Sequence, residues 1–203
     1  MIVIVDYGAG NLRSIQYKLD ISNVNVTSSN DYQIIESANK LILAGVGNFK
    51  TAMENLEDLG LSDLIIKKVK VDKIPIFGIC LGMQLFAEYS EEGDSQGLGL
   101  IKGKVKKFNF NDSNNLKIPH VGWNTVSIKK SNKILTNISE GQSFYFTHSY
   151  HLTCDDNIIL TKTNYGYDFV SSIKHENILG TQFHPEKSYR SGFKLLLDFC
   201  KNA

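Results

Sequence analysis

The sequence predicts an α/β fold built on a mostly parallel sheet with an antiparallel β extension, and three observations carry that prediction. Ile2-Val3-Ile4-Val5, Leu41-Ile42-Leu43 and residues 74–79 are apolar runs, the pattern of strands covered on both faces. Each leads through a turn into a stretch with apolar residues at helical spacing. From about Gly99 onward, short strand-like segments dominate instead.

In chain order, the first strand ends in Asp6-Tyr7-Gly8-Ala9-Gly10-Asn11, and the helix after it carries Leu12, Ile15 and Leu19. Residues 24–27 form a second short strand, with 28–31 as turn and helix cap. The third strand, 41–43, runs into Ala44-Gly45-Val46-Gly47-Asn48-Phe49; the helices beyond place Met53 and Leu56, then Leu61, Leu64, Ile65 and Val69, in the core. Residues 74–79 are a buried strand with Cys80 at its end, and a helix is expected from Leu81 onward. Residues 93–103 are glycine-rich, and 101–106 alternate apolar or small residues with lysines, as a half-exposed strand with a solvated lysine face does. Residues 109–115 read as a polar loop. Strands are expected near 125–128, 144–147, 158–163, 169–173 and 179–183, and a closing helix at 189–200 is expected to bury Phe193, Leu196 and Leu197. With no linker, repeat or low-complexity segment, residues 1–203 are expected to form one domain.

Composition narrows the function classes. Hydrophobic residues at 42% and charged residues at 21% are those of an ordinary globular protein, and a net charge of +1 gives no reason to expect nucleic acid or an anionic membrane as partner. No apolar run has the length of a membrane span, and the N-terminus has no signal-peptide layout. Cys80, Cys154 and Cys200 are too few and too widely spaced for a disulfide framework or a zinc site, which points to a reducing cytoplasm. No pair of histidines has metal-ligand spacing, so no metal is expected. Gly8-x-Gly10 after the first strand invites a dinucleotide reading, but Arg13 stands at the third glycine position and no acidic residue follows where one is needed. No cofactor is expected.

Cys80 carries the chemistry. Gly78-Ile79-Cys80-Leu81-Gly82 is a Gly-x-nucleophile-x-Gly arrangement at a strand-to-helix joint, and a helix start favours the thiolate form. The plainer alternative is a small buried cysteine filling the core. Thr181-Gln182-Phe183-His184-Pro185-Glu186 supplies the partners: in extended backbone His184 and Glu186 point to one side, as base and orienter. Acyl transfer also needs donors for an oxyanion, and the Gly45-Val46-Gly47 loop together with the Leu81 N–H can present them. Taken alone, that loop is an ordinary strand–helix turn.

Together these residues resemble the class I (triad) glutamine amidotransferases. The resemblance narrows to the branch of glutaminase subunits of imidazole glycerol phosphate synthases through residues 5–12, Gly45-Val46-Gly47, residues 78–84, Pro119-His120-Val121-Gly122-Trp123-Asn124, residues 145–150 and His184-Pro185-Glu186-Lys187-Ser188. It spans nearly the whole chain. It implies a flavodoxin-like doubly wound sheet with helices on both faces, and a glutaminase in which Cys80 attacks glutamine to give a thioester and ammonia. His184 would be base and then acid, oriented by Glu186; Gln84, Gly47, Ser149 and Tyr150 would hold the glutamine. Ammonia would pass to a partner subunit of (β/α)₈-barrel fold, which makes imidazole glycerol phosphate and an aminoimidazole carboxamide ribonucleotide in histidine biosynthesis. Asn11, Trp123, Tyr145 and Lys187 match positions facing that partner. The sequence departs from the family where Ala44 replaces the usual proline before Gly-Val-Gly and Asn48 replaces a small residue. A freer loop is expected, with poor hydrolysis until the partner binds. Alternatives are the same glutaminase serving a barrel partner that aminates a surface-polysaccharide sugar, a non-catalytic regulatory subunit of the same fold, and a cysteine hydrolase of peptides or esters.

Overall fold

The computed structural model describes residues 1–10, 12–110 and 116–202. Its elements run β1 (Ile2–Val5), α1 (Leu12–Asp20), β2 (Val26–Ser29), α2 (Tyr32–Glu36), β3 (Lys40–Gly45), α3 (Phe49–Asp58), α4 (Leu61–Lys70), β4 (Ile76–Cys80) and α5 (Leu81–Gln84). There follow β5 (Tyr89–Ser90), β6 (Ser95–Gln96), β7 (Gly103–Lys107), β8 (His120–Thr125), β9 (Ser127–Ile128), β10 (Ser143–His148), β11 (Tyr150–Cys154), β12 (Ile159–Tyr165), β13 (Tyr167–His175), β14 (Ile178–Thr181) and α6 (Tyr189–Asn202).

The main sheet has the order β2-β1-β3-β4-β14-β13-β12-β9. Its first five strands are parallel and the rest antiparallel. The parallel part has the flavodoxin-like order, and in such sheets the crevice beyond the carboxyl ends of the strands is where ligands bind. The apolar runs are continuous because both sides are covered. Val3, Val5, Leu41 and Leu43 pack with Ala52, Met53, Leu56, Leu64 and Ile65 of α3 and α4; Ile2, Ile4, Ile42, Phe77 and Ile79 pack with Leu12, Ile15 and Leu19 of α1 and Leu195, Leu196 and Phe199 of α6.

The structure moves some boundaries. The helix expected from Leu81 is a single turn, because the carbonyls of Leu85, Phe86 and Ala87 accept from the N–H groups of Leu98, Ile101 and Gly99 rather than continuing a helix. The segment near 125–128 is two strands, β8 and β9, separated by buried Val126. β11 was not anticipated; it pairs antiparallel with β7, whose lysines are exposed around buried Val105. In α6 the deepest side chains are Leu195, Leu196, Phe199 and Cys200, while Phe193 and Leu197 are only partly buried. Asp31 is the N-cap of α2, its carboxylate accepting from the N–H groups of Gln33 and Ile34. Asn48, where the family has a small residue, caps α3 by accepting from the Thr51 N–H. Of the loop at 109–115, residues 111–115 lie outside the described residues, as does Asn11.

Candidate active site

Cys80 ends β4 in a backbone conformation that L residues rarely adopt, with φ 54° and ψ −110°. The chain then reverses so tightly into α5 that a Cβ on Gly82 would stand 1.7 Å from the Leu43 carbonyl oxygen. The thiol is 4% exposed. One turn of helix has little macrodipole, so the dipole support expected from the sequence is minor here. Specific groups surround the sulfur instead. Gln182 Nε2 donates to it at 3.6 Å, and the Thr147 carbonyl lies 3.7 Å away as an acceptor for the thiol form.

His184 arrives from the end of β14, pinned by its N–H to the Tyr145 carbonyl (2.9 Å) and by Ser188 Oγ, which donates to the His184 carbonyl (2.6 Å). Its Nδ1–H donates to Glu186 Oε1 at 2.8 Å. The two side chains do not meet through strand alternation, as extended backbone would require: Pro185–Lys187 is a 3₁₀ turn that folds the carboxylate back onto the ring. His184 Nε2 is buried without a partner in the protein. Burial by itself would lower the His184 pKa, but the adjacent Cys80 sulfur as an anion, and then Glu186, outweigh it and push the value up to about 10. A ring that holds its proton beside a sulfur nucleophile can hand that proton to a leaving amine.

Cys80 lies in a cleft of about 220 Å³ lined also by Val46, Gly47, Leu81, Gln84, Glu92, Thr147, His148, Ser149 and Tyr150. Gly47 has φ 120°, a conformation that glycine supplies without strain. Gly45 pairs with Cys80 across β3 and β4 and lines a second cavity, on the α1 side, with Val46, His184, Glu186 and Lys187. Of the residues expected to hold a substrate, Gln84, Gly47, Ser149 and Tyr150 therefore share the cleft with Cys80. Gln84 is buried, and its Nε2 donates to the Tyr150 carbonyl (2.8 Å) and to Gln182 Oε1 (3.0 Å). Trp123, Tyr145 and Lys187 gather on one surface: Trp123 is 45% exposed and stacks on Tyr189 at 4.6 Å, and the Lys187 ammonium lies 5.7 Å from the Tyr145 ring centroid.

Several residues of the site escaped sequence reasoning, Thr147, His148, Gln182 and Glu92 among them. Gln182 had only its place two positions before His184 as a signal; the strand ends at Thr181, and it is the bend at 182–183 that sets its amide against Cys80. Glu92 had none, being one acid among Glu88, Glu91 and Glu92. Its carboxylate accepts from the Phe49 N–H at the start of α3 (2.9 Å), and burial raises its pKa. Among the described residues no group of three His, Cys, Asp or Glu side chains is placed to hold a metal ion, and no helix is long and apolar enough to cross a membrane.

The family model described as glutamine amidotransferase class-I matches residues 3–202. The chain belongs to the class I glutamine amidotransferases. Within them it is 47% identical to imidazole glycerol phosphate synthase subunit HisH 2 of Methanococcus maripaludis over 205 residues, covering all of both chains. It is 46% identical to the HisH subunit of Aquifex aeolicus, covering 99% of this chain and 96% of that one. Among solved structures, one titled as a glutamine amidotransferase superposes with a TM-score of 0.73 at 18% identity, covering 98% and 97% of the two chains. A putative GMP synthase protein from Thermoplasma acidophilum gives 0.72 at 23%, covering 98% and 91%. Both likenesses establish that the amidotransferase fold is shared.

Proposed function

We infer that the chain is the glutaminase subunit of an imidazole glycerol phosphate synthase, and that Cys80, His184 and Glu186 are its catalytic residues. The observation that carries this reading is the buried, strained Cys80 lining a cleft sized for a small molecule, with the Glu186-anchored His184 beside it. Full-length identity to subunits of that name supports it.

In this reading the Cys80 thiolate attacks the side-chain amide carbon of glutamine. The negative charge moves to the carbonyl oxygen, which the N–H groups of the 45–47 loop and of Leu81 receive. His184 gives its proton to the departing nitrogen, so the C–N bond breaks, ammonia leaves and a thioester remains. His184 then takes a proton from water, the resulting hydroxide opens the thioester, and glutamate departs with the thiolate restored. Glu186 holds the ring in one orientation throughout. Ser149 and Tyr150 flank the substrate, with Gln84 beneath them, and the Glu92 carboxylate pairs with its α-ammonium group. The cavity lined by Gly45, Val46 and His184 gives ammonia a shielded way toward the face bearing Lys187, Tyr145 and Trp123, where the barrel subunit docks. Asn11, also expected on that face, lies outside the described residues. We place the enzyme in the cytoplasm, as one amidotransferase domain with three free thiols.

The test is glutamate release from the wild type and from Cys80→Ala, each with the barrel subunit present. Loss of at least about 10³-fold is expected, and equal release ends the reading. Co-purification from the native cell identifies the barrel; a sugar-aminating partner would replace the histidine-pathway assignment while leaving the glutaminase chemistry intact.

A further inference from the structure

A run of hydrogen bonds leads from β8 to the Cys80 sulfur, and its direction can be read from its ends. The Thr125 N–H donates to Asn124 Oδ1 at 2.8 Å, which identifies the other amide atom of Asn124 as nitrogen. That nitrogen donates to the Asn164 carbonyl (2.9 Å) and meets His120 Nε2 at 3.3 Å. His120 Nε2 is therefore an acceptor, and the ring proton sits on Nδ1, which faces His148 Nε2 at 3.1 Å. His148 Nε2 accepts in turn, so this second ring also carries its proton on Nδ1. The far end imposes the same answer independently: His148 Nδ1 lies 2.7 Å from the Tyr150 carbonyl, which can only accept. A proton added to either ring would set N–H against N–H between the rings or oppose the Asn124 amide.

The Tyr150 carbonyl is a shared terminus. It also receives Gln84 Nε2, whose other hydrogen goes to Gln182 Oε1, while Gln182 Nε2 donates to the Cys80 sulfur. The two imidazoles are buried among aromatic rings. His120 stacks on Tyr165 at 4.0 Å and on Phe146 at 5.0 Å, and His148 lies against Phe108 and Phe169 at 5.1 Å each. Burial holds both well below the usual imidazole range, His120 at about 4 and His148 at about 3. Phenylalanines would fill this cluster without any constraint on ring protons.

We propose that His120 and His148, both neutral and both protonated at Nδ1, are positioning residues for glutamine hydrolysis, fixing the Tyr150 carbonyl and with it the Gln84–Gln182 pair that reaches Cys80. The proposal rests on the glutaminase reading for its kinetic consequence, though not for the ring protons themselves. Nitrogen-15 spectroscopy of the imidazoles in the full chain bound to its barrel subunit reads the tautomers directly. Protonated Nδ1 and bare Nε2 are expected at both positions, and an Nε2–H ring at either overturns the proposal. His120→Phe keeps the aromatic packing and removes the donor; it is expected to raise KM for glutamine roughly tenfold, with kcat within about threefold, as loss of one buried hydrogen bond predicts. His120→Asn, which returns an N–H to the Nδ1 position, is expected to bring KM back to within about threefold of wild type. An unchanged KM in His120→Phe, or a fall in kcat with KM intact, overturns the positioning role. Absence of glutamate release from the unmutated complex would be the separate failure of the functional reading, while the ring-nitrogen spectra still judge the tautomers.

Discussion

His184 lies between the Cys80 sulfur and Glu186, and against the opposing effect of burial both, when anionic, favour its cationic form. Glu186→Gln removes one of them and replaces an acceptor by an amide that must be oriented to accept. The His184 titration is expected to move down toward its ordinary value, and glutamate release to fall by at least roughly tenfold. Ring-proton titration by magnetic resonance and a coupled glutamate assay check the two parts separately. How far such residues can be read from sequence depends on whether spacing constrains them. Cys80 is marked by its flanking glycines, and His184 and Glu186 by their adjacency, although the turn that joins them is not the extended backbone their spacing suggests. Glu92 reaches the cleft only because the segment after α5 wraps back over α3, which nothing in its own neighbourhood encodes.

Elements with a single physical signature were legible; those that borrow their hydrogen bonds were not. β1, β3 and β4 are apolar on both faces, and their runs locate them to within two residues, β4 beginning at Ile76 where a strand was expected from 74. The segment after Gln84 continues the apolar run with Leu85, Phe86 and Ala87, yet residues 98–101 capture its carbonyls. β11 mixes Tyr150, His151 and Thr153 with Leu152 and is a strand only through β7. The elbow between β4 and α5 is the tightest junction in the sheet's centre. Gly82→Ala places a methyl group inside contact distance of the Leu43 backbone, which cannot yield without disturbing the β3–β4 ladder. A loss of about 3 kcal/mol is expected in chemical denaturation, at the upper end for overpacking.

Across the whole molecule, the buried imidazoles bound the pH range of stability from both sides. His120 and His148 have folded values of about 4 and about 3, below the ordinary 6.5, so the unfolded chain takes up their protons first. Stability is then present above pH 6.5 and is lost as pH falls toward 3, by up to about 1.4 kcal/mol per pH unit for each ring. His184, raised to about 10, acts in the opposite sense: its contribution is complete below 6.5 and is lost as pH rises toward 10. Among the described residues, the charged groups acting on His148 are His120, His151 and His184, each of which lowers its pKa further. Denaturation midpoints across pH for the wild type and His120→Phe check this, the variant being expected to show the shallower acid limb. The division into a parallel half and an antiparallel extension was visible in the change of texture near Gly99. In the small sheets, β7 and β10 stand near strands expected at 101–106 and 144–147, while β5, β6 and β11 were not legible, two of them being only two residues long.

The torsion angles at Cys80 carry a consequence for the chain's evolutionary options. A backbone held at positive φ works against folding by about 1–3 kcal/mol, and only a residue without a Cβ escapes that penalty. Glycine in a folded chain is ordinarily inferior to alanine, yet here Cys80→Gly is expected to outlast Cys80→Ala by about 1 kcal/mol in thermal or urea melts. Under the proposed function, a lineage that gave up catalysis would thus be drawn toward glycine at this one place.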